Sequence, residues 1–509
     1  MQTSHRSPFL TIHTEGALLP ADLLQRILAG DKDLGGLSPA DYHLPGNEKL
    51  NEAVNYSWNR LQGAWAAFQT SRGRLKEGDP GTTLTRERWL LPLFQELGYG
   101  RLQTAKAIEI EGKSYVISHT WGAAEQPTPI HLVGCGVDIE KRQAGVSGAS
   151  KSSPHSLMQE LLNRDETRHW GLVSNGLRLR VLRDNASLTR QAYLEFDLEA
   201  MFSGEIYADF AVLWLVCHQS RLEGDKPEAQ WLERWSQVAQ DQGTRALEGL
   251  RSGVEEAIIA LGQGFLAHPD NQALRQQLKS GELDRQQYFR QLLRLVYRLI
   301  FLFVAEDRDL LLLPEVAPEA KERYLKYYST ARLRRLAERQ RGGRHADLWQ
   351  GLLVITDSLG GRGKGVGDKG SAAQIPAPLS PDPLGLPVLG GFLFSHKALP
   401  DLEAAQVDNQ ALLNAVRSLA FTQEKNSRRA VDYKNLGSEE LGSVYESLLE
   451  LQPALNIEAG TFQLATAAGN ERKTTGSYYT NAGLIKITLD SALDPVIEQA
   501  IKGAGDKGK

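Results

Sequence analysis

One short segment near the end of the chain combines residue types that can hold a small polar ligand. It reads Arg-Lys-Thr-Thr-Gly-Ser-Tyr-Tyr-Thr and spans Arg472–Thr480. Gly476 can adopt the positive φ that a β-branched neighbour cannot, which predicts a tight turn. Apolar residues at helical spacing follow from Leu484 to Ile497. A turn lined by hydroxyl groups and aromatic rings ahead of a helix predicts a site for a small polar molecule.

A second candidate is a cluster of arginines between residues 332 and 344. Arg332, Arg335 and Arg339 are three and four residues apart, so in a helix they share one face. Such a face can contact several phosphates of a DNA backbone. A solvated helix face that binds nothing fits the same spacing, and Glu338 dilutes the positive charge. Both interpretations stay open.

Residues 472–480 resemble the R-K-x-T-G-S-Y-Y-T-P signature of adenine-N6 DNA methyltransferases in type IIG restriction enzymes and in BREX and DISARM phage-defence systems. Leu441–Leu451 and Leu489–Ile497 resemble the flanking helices of that family, so the likeness is close over roughly residues 430–500. The family has proline after the last threonine, where this chain has Asn481, a residue that also shapes turns. The resemblance implies S-adenosylmethionine as cofactor and double-stranded DNA as substrate. By the same resemblance, the edge of the cofactor pocket is formed by Thr475, Gly476, Tyr478, Tyr479 and Thr480.

The region around Trp89 and Trp170–Arg180 resembles the nuclease-like domain that is fused to these methyltransferases. Such domains hold Mg²⁺ with an Asp on one strand and an (Asp/Glu)-x-Lys on the next. Here Asp138 and Glu140 are present, but Glu140 and Lys141 are adjacent, and on a strand their side chains would point to opposite faces. We therefore expect an inactive domain without Mg²⁺ or any other metal. Nearby, Asn175-Gly176 predicts a type I′ hairpin without chemistry.

Adenine-N6 methyltransferases also need an (Asn/Asp/Ser)-Pro-Pro-(Tyr/Phe/Trp) loop that holds the flipped adenine. The sequence contains no Pro-Pro pair. We therefore expect the catalytic core to be absent, and we predict no catalytic residue in this chain. A truncated or split enzyme whose remainder is encoded downstream is the favoured explanation. A separate subunit that pairs with a catalytic chain or with other defence-system subunits is the alternative.

Composition excludes several classes of protein. The 509 residues, with 41% hydrophobic and 24% charged residues, are typical of globular domains. A formal net charge of −4 gives no global signature of nucleic-acid binding, so DNA contacts require local basic patches. Cys135 and Cys217 are too far apart for a zinc motif and suit a reducing compartment. Because the N-terminus has no apolar signal core and Leu292–Leu313 is rich in charge, we expect a cytoplasmic protein without membrane contact.

The predicted fold is mixed α/β and α, and five regions follow from the pattern. They are a helical N-terminal region (1–84), a nuclease-like α/β domain (85–222), a helical connector (223–355), a Gly/Pro-rich linker (356–390) and a helical lead-in to a methyltransferase domain (391–509). The lead-in is expected to be the helical N-terminal part of a class I methyltransferase whose Rossmann-like core is absent. Within Ala305–Asp309, we expect the arginine to pair with neighbouring carboxylates and fix a helix end.

Together these observations predict the N-terminal portion of a site-specific adenine-N6 DNA methyltransferase in a restriction-modification or phage-defence system. We expect the chain alone to lack activity. The alternative is a non-catalytic, DNA-binding scaffold subunit of a defence complex.

Overall fold

The computed structural model describes most of the chain. The described residues are 9–16, 18–110, 112–122, 127–165, 167–184, 191–224, 226–361, 383–424, 427–436, 440–442, 444, 448, 451–466 and eleven positions between 484 and 500. The chain divides into two compact units, which we call the N-terminal unit (mainly Arg6–Gln242) and the C-terminal unit (mainly Gly243–Tyr479). Each unit has its own hydrophobic core.

The N-terminal unit is built on a seven-stranded mixed sheet with the strand order β1-β9-β8-β7-β6-β5-β2. The strands of this unit, including a separate β3–β4 hairpin, are β1 (Ile12–Glu15), β2 (Gln103–Thr104), β3 (Ile108–Ile110), β4 (Lys113–Tyr115), β5 (His119–Trp121), β6 (Thr128–Leu132), β7 (Trp170–Ser174), β8 (Arg178–Arg183) and β9 (Tyr193–Asp197). Its helices are α1 (Ala21–Leu28), α2 (Leu50–Arg72), α3 (Thr82–Thr85), α4 (Leu91–Glu96), α5 (Pro154–Arg164), α6 (Leu198–Ser203) and α7 (Tyr207–Cys217). Among the described strands of this unit, only β6 and β7 pair in parallel, and α5 connects them.

Both faces of this sheet are buried. Successive residues of a strand point to opposite faces. On β7, Leu172 packs into the core formed with α2 and the turn that carries Trp89. Its neighbour Val173 packs on the other face, against Leu161 and Leu162 of α5. The central strands are therefore covered by helices on both sides.

Several local predictions for this unit are confirmed. The local residue pattern predicts strands at 130–133, 171–174 and 177–183 and a helix at 156–163, and the structure has β6, β7, β8 and α5 at these positions. The Asn175-Gly176 hairpin is also present, but it is not a two-residue type I′ turn. That turn needs positive φ at both residues, and only Gly176 has it, with φ 81°. The Asn175 side chain instead accepts hydrogen bonds from the backbone N–H groups of Leu177 and Arg178.

The N-terminal region that was expected to be helical also supplies a strand. β1 pairs antiparallel with β9, with Ile12 opposite Phe196. The carboxylate of Asp209 on α7 fixes this strand by accepting the backbone N–H of Thr11 at 2.7 Å and its hydroxyl at 2.7 Å. The predicted regions 1–84 and 85–222 therefore share one sheet and one core.

The C-terminal unit is mainly helical. Its helices are the C-terminal part of α8 (Trp231–Ala267, in which the boundary between the units falls), α9 (Gln272–Ser280), α10 (Arg285–Asp307), α11 (Pro318–Arg323), α12 (Thr330–Arg339), α13 (Asp347–Gly360) and α14 (Asn409–Ala420). Its strands are β10 (Phe421–Glu424), β11 (Ser427–Ala430), β12 (Leu451–Asn456) and β13 (Thr461–Thr466). Residues of α8, α10, α13 and α14 form most of the core. α8 meets α14 so closely that a Cβ at Gly253 would lie 2.1 Å from the carbonyl oxygen of Ser418.

Two expectations for this unit need correction. The lead-in at 391–509 is not helical throughout, because β10–β11 and β12–β13 form two antiparallel hairpins. Burial alternates along Leu451–Asn456, and Phe462 on β13 inserts into the helical core beside Tyr288. The linker predicted at 356–390 begins inside α13, which ends at Gly360; residues 362–382 lie outside the described residues.

The fold is thus mixed α/β, with one large sheet and many helices. None of the helices described here combines the length and the apolar character that crossing a membrane requires.

Candidate nucleic-acid interface

The arginines predicted to bind DNA lie on α12, and the start of this helix is fixed by a buried carboxylate. Glu306 on α10 accepts the backbone N–H of Thr330 at 2.6 Å and that of Ala331 at 2.8 Å. The Ser329 hydroxyl caps the same end by accepting the backbone N–H of Arg332. These bonds satisfy N–H groups that have no partner within the helix.

Only part of the predicted arginine stripe is available to a ligand. Arg332 is half-buried, lines a cavity of about 360 Å³, and donates from Nη1 to the carbonyl of Tyr327 at 3.3 Å. Arg335 is also half-buried, whereas Arg339 is exposed. Arg334, on the buried face, forms two hydrogen bonds with Asp307, at 2.9 and 2.5 Å.

The acidic cluster that precedes α12 differs from its prediction. Arg308 does not pair with a neighbouring carboxylate; its guanidinium donates to the carbonyls of Lys434, at 3.1 Å, and Leu436, at 2.5 Å. Glu306 caps α12, and Asp307 pairs with Arg334. The cluster does anchor a helix, but the anchored helix is α12.

The segment that follows α12, residues 340–346, is ordered by contacts to α14; we call it the basic loop. Gly342 has φ 83°, and a Cβ there would lie 2.6 Å from the carbonyl oxygen of Asn409, so this position requires glycine. The N–H of Asn409 donates to the carbonyl of His345 at 2.7 Å, and that of Gln410 to Gly343 at 3.2 Å. These bonds hold the loop along the start of α14 and leave Arg341 and Arg344 exposed.

Arg417 on α14 joins the basic loop to the end of α12. Its Nε donates to the carbonyl of Ala337 and its Nη2 to that of Gln340, each at 2.6 Å. Partial burial lowers the pKa of Arg417, and the positive charges of Arg428 and Arg341 lower it further. Those charges therefore lie close enough to repel one another.

We call the exposed Arg339, Arg341, Arg344 and Arg428 the basic surface. None of the four forms an ion pair with a carboxylate in the part of the chain that the structure describes. No described carboxylate competes for their guanidinium groups, and clustered arginines on one surface are typical of phosphate recognition. Arg341 and Arg344 lie near the predicted stripe in the sequence, but no sequence pattern favours them over Arg332 as DNA-binding residues. It missed Arg428, whose only local signal is the Arg428-Arg429 pair.

No family model, curated protein or solved structure matches this chain.

The residues of the expected nuclease site have other partners. Residues 133–142 form a loop after β6 rather than a strand, so the strand-face argument for Glu140 and Lys141 was wrong. The chain leaves the sheet where Gly134 lies against the backbone of Pro80, with no room for a Cβ. Asp138 pairs with Lys141 at 3.3 Å, and Glu140 pairs with Arg180 at 2.5 Å.

Arg180 is the centre of a buried polar network in this unit. Its Nε donates to Glu195 at 2.5 Å, and its guanidinium lies 4.0 Å from the centre of the Tyr193 ring. His155 Nδ1 lies 3.1 Å from Arg180 Nη1. Burial lowers the pKa of His155 to about 4, helped by the charge of Arg180, so the imidazole is neutral at pH 7. Glu140 and Glu195 act here as counterions of an arginine.

No three His, Cys, Asp or Glu side chains among the described residues lie close enough to hold a metal ion. The predicted cofactor residues Thr475, Gly476, Tyr478, Tyr479 and Thr480 lie outside the described residues.

Proposed function

We propose that this chain is the N-terminal portion of a site-specific, S-adenosylmethionine-dependent adenine-N6 DNA methyltransferase of a restriction-modification or phage-defence system. The observation that carries the proposal is the segment Arg472–Thr480, which resembles the stretch leading into the methyltransferase domain of that family. The basic surface supports it, because an enzyme that modifies DNA must first bind the phosphate backbone.

The C-terminal unit supplies the DNA contact in this proposal. Four exposed arginines, one on α12, two on the basic loop and one on β11, neutralise phosphates without reading bases. Arg417 holds two of the three elements together through backbone carbonyls, so the surface is preorganised. Sequence recognition and base flipping are assigned to residues outside this surface.

The N-terminal unit is proposed to be a nuclease-like module that no longer cleaves. Its mixed sheet with an α5 crossover supports the nuclease-like assignment only in outline. The partners of its carboxylates argue against cleavage: Asp138 is paired with Lys141, and Glu140 with the buried Arg180. A carboxylate committed to an arginine is a poor ligand for Mg²⁺, which needs free oxygen donors.

The test is the methylation state of the host genome. Deleting the gene for this chain should remove N6-methyladenine from one sequence motif, as read by long-read sequencing, and the wild-type gene should restore it. A gene carrying Tyr478→Ala and Tyr479→Ala should fail to restore it, whereas the exposed control change Lys106→Ala should succeed. A methylome that is unchanged by the deletion would refute the proposal.

A second candidate is a non-catalytic DNA-binding scaffold, which the basic surface also favours. It predicts salt-sensitive binding of the purified chain to duplex DNA without cofactor, together with an unchanged methylome in the deletion strain. The methyltransferase proposal predicts the loss of methylation, so the methylome of the deletion strain distinguishes the two candidates.

A further inference from the structure

The N-terminal unit contains a cavity of about 550 Å³ that is independent of the basic surface and of the proposed function. Residues from three parts of the chain line it: Trp121, Gly122 and Thr128 at the end of β5 and the start of β6, residues 167–170 at the start of β7, and residues 222–224, 226, 227 and 230 ahead of α8. The volume lies within the range of roughly 300–1,000 Å³ that is typical of small-molecule sites. None of the residues predicted from the sequence to have a function lines it.

One wall of the cavity is aromatic. Trp121 at the end of β5 is half-buried, and its ring forms a T-shaped contact with that of Tyr99, with ring centres 5.1 Å apart and an interplanar angle of 74°. Trp170 is held by a hydrogen bond from its Nε1 to Glu233 at 3.0 Å. An indole held in place by its neighbours offers a stacking surface at low entropic cost.

The cavity also contains two cationic side chains. Arg168 pairs with Asp165 and donates from Nε to the carbonyl of Pro127 at 3.2 Å, so its position is fixed. Lys226 is exposed and has no carboxylate partner among the described residues. The one acidic residue of the lining, Glu223, already contacts His43 Nε2 at 2.5 Å. Among the described lining residues, Lys226 therefore supplies a positive charge that no carboxylate neutralises.

Two further polar groups are available to read a ligand. His169 Nδ1 lies 3.4 Å from Asp184 Oδ1, and the His169 side chain keeps 27% of its surface exposed. The side-chain amide of Gln230 forms no hydrogen bond with any described residue. An imidazole and an amide can each donate or accept, as recognition of a heterocyclic base edge requires.

We propose that this cavity binds a nucleotide, with the base stacked on Trp121 and read by His169 and Gln230, and the phosphate held by Lys226 and Arg168. Stacking on an aromatic ring and charge neutralisation are the two interactions by which proteins hold single nucleotides. The nucleotide is either a free molecule or an unpaired residue of a DNA strand, and the experiment distinguishes these sources.

Calorimetric titration of the 509-residue chain provides the test. To exclude binding at the basic surface, the background protein carries Arg341→Glu, Arg344→Glu and Arg428→Glu. The probes are 5′-dAMP, deoxyadenosine, inorganic phosphate and a single strand of ten deoxyadenylates. We expect 5′-dAMP to bind at least tenfold more tightly than deoxyadenosine or phosphate. If only the single strand binds, the ligand is a nucleotide of a DNA strand.

The variants identify the cavity as the site. Trp121→Ala should weaken binding about tenfold and Trp121→Phe should recover most of it, while Lys226→Ala should weaken binding and reduce its dependence on salt. Lys106→Ala, an exposed lysine of the same unit outside the cavity, should change nothing. The proposal is overturned if phosphate alone binds as tightly as 5′-dAMP, if Lys226→Ala and Trp121→Ala leave affinity unchanged, or if neither 5′-dAMP nor the single strand binds. Genome methylation enters none of these readouts, so a failure here leaves the proposed function intact.

Discussion

Glu306 caps α12 through Thr330: the carboxylate accepts the backbone N–H of Thr330 at 2.6 Å and its hydroxyl at 2.7 Å. The same carboxylate also accepts the N–H of Ala331 and the hydroxyl of Tyr324. One side chain of α10 thus provides hydrogen-bond acceptors for the first N–H groups of α12, which ends at Arg339 and leads into the basic loop. The position of the basic surface depends on this cap.

Replacing Glu306 with alanine should destabilise the C-terminal unit by about 3 kcal/mol, because several buried donors lose their acceptor. Urea unfolding should show a lower midpoint for this unit. Glu338→Ala on the exposed face of α12 is the matched control and should change stability by less than about 0.5 kcal/mol. Equal midpoints for wild type and Glu306→Ala would show that the cap contributes nothing.

The N-terminal unit should lose stability on mild acidification, because it buries neutral histidines. Burial lowers the pKa of His119, His131 and His155 to about 4 and that of His218 to about 3. The pKa of a histidine in the unfolded chain is about 6.5. Below that pH the unfolded chain binds protons that the folded unit does not bind. The stability that these groups contribute is therefore complete above pH 6.5 and is lost as pH falls toward 4.

The expected loss is about 1.4 kcal/mol per pH unit for each group in that window. Urea midpoints measured at pH 7.5, 6 and 5 should fall steadily. His155→Gln should make the fall shallower, whereas His13→Gln, an exposed position on β1, should leave it unchanged. A midpoint that is independent of pH over this range would contradict the prediction.

Charge reversal on the basic surface should weaken DNA binding and also its dependence on salt. Each phosphate contact contributes about 0.9 to the slope of log K against log salt for duplex DNA. Arg341→Glu, Arg344→Glu and Arg428→Glu together should therefore reduce the slope by roughly 2 to 3. Fluorescence anisotropy with a labelled duplex at several salt concentrations measures it.

The control for this measurement reverses three exposed charges of the other unit, Arg74→Glu, Lys76→Glu and Arg101→Glu, and so matches the change in net charge. Arg332→Glu should have a smaller effect than Arg341→Glu, because Arg332 is half-buried. Equal losses in the control and in the basic-surface variant would indicate a non-specific effect of charge.

Two glycines of α8 provide a matched pair for packing. Gly253→Ala should destabilise the C-terminal unit by about 2 kcal/mol, because its Cβ would meet the backbone of Ser418 at 2.1 Å. Gly243 has nothing within 4 Å of an added Cβ, so Gly243→Ala should stabilise the helix by about 0.5–1 kcal/mol. A Gly253→Ala midpoint equal to or above that of the wild type would show that α8 and α14 are not in close contact.

Local patterns were sufficient to predict the central strands and α5, because apolar alternation and helical spacing are properties of neighbouring residues. They could not show that β1 pairs with β9, nor that β6 and β7 are parallel, since both depend on contacts between distant segments. The same limit applies to the hairpins β10–β11 and β12–β13, which interrupt a region expected to be helical.

For the candidate sites too, local patterns predicted only the features that depend on neighbouring residues. Spacing correctly grouped Arg332, Arg335 and Arg339 on one helix, but burial of the first two depends on tertiary packing. The importance of Arg341 and Arg344 depends on Gly342 and on α14, some 70 residues later in the chain. Nothing local links Trp121 and His169 with Lys226 and Gln230, because the cavity exists only where three separate segments meet.

The pairing of β1 with β9 also sets the order of events during synthesis. At the usual rate of about 5–20 residues per second, roughly 10–40 s separate the appearance of residue 12 from that of residue 197. During this interval the first strand has no partner, and Asp209, which later fixes Thr11, has not been made. A nascent chain shorter than about 200 residues therefore exposes unpaired strand edges and is open to capture by chaperones or to aggregation. The N-terminal unit becomes a protected body only when its last strand emerges.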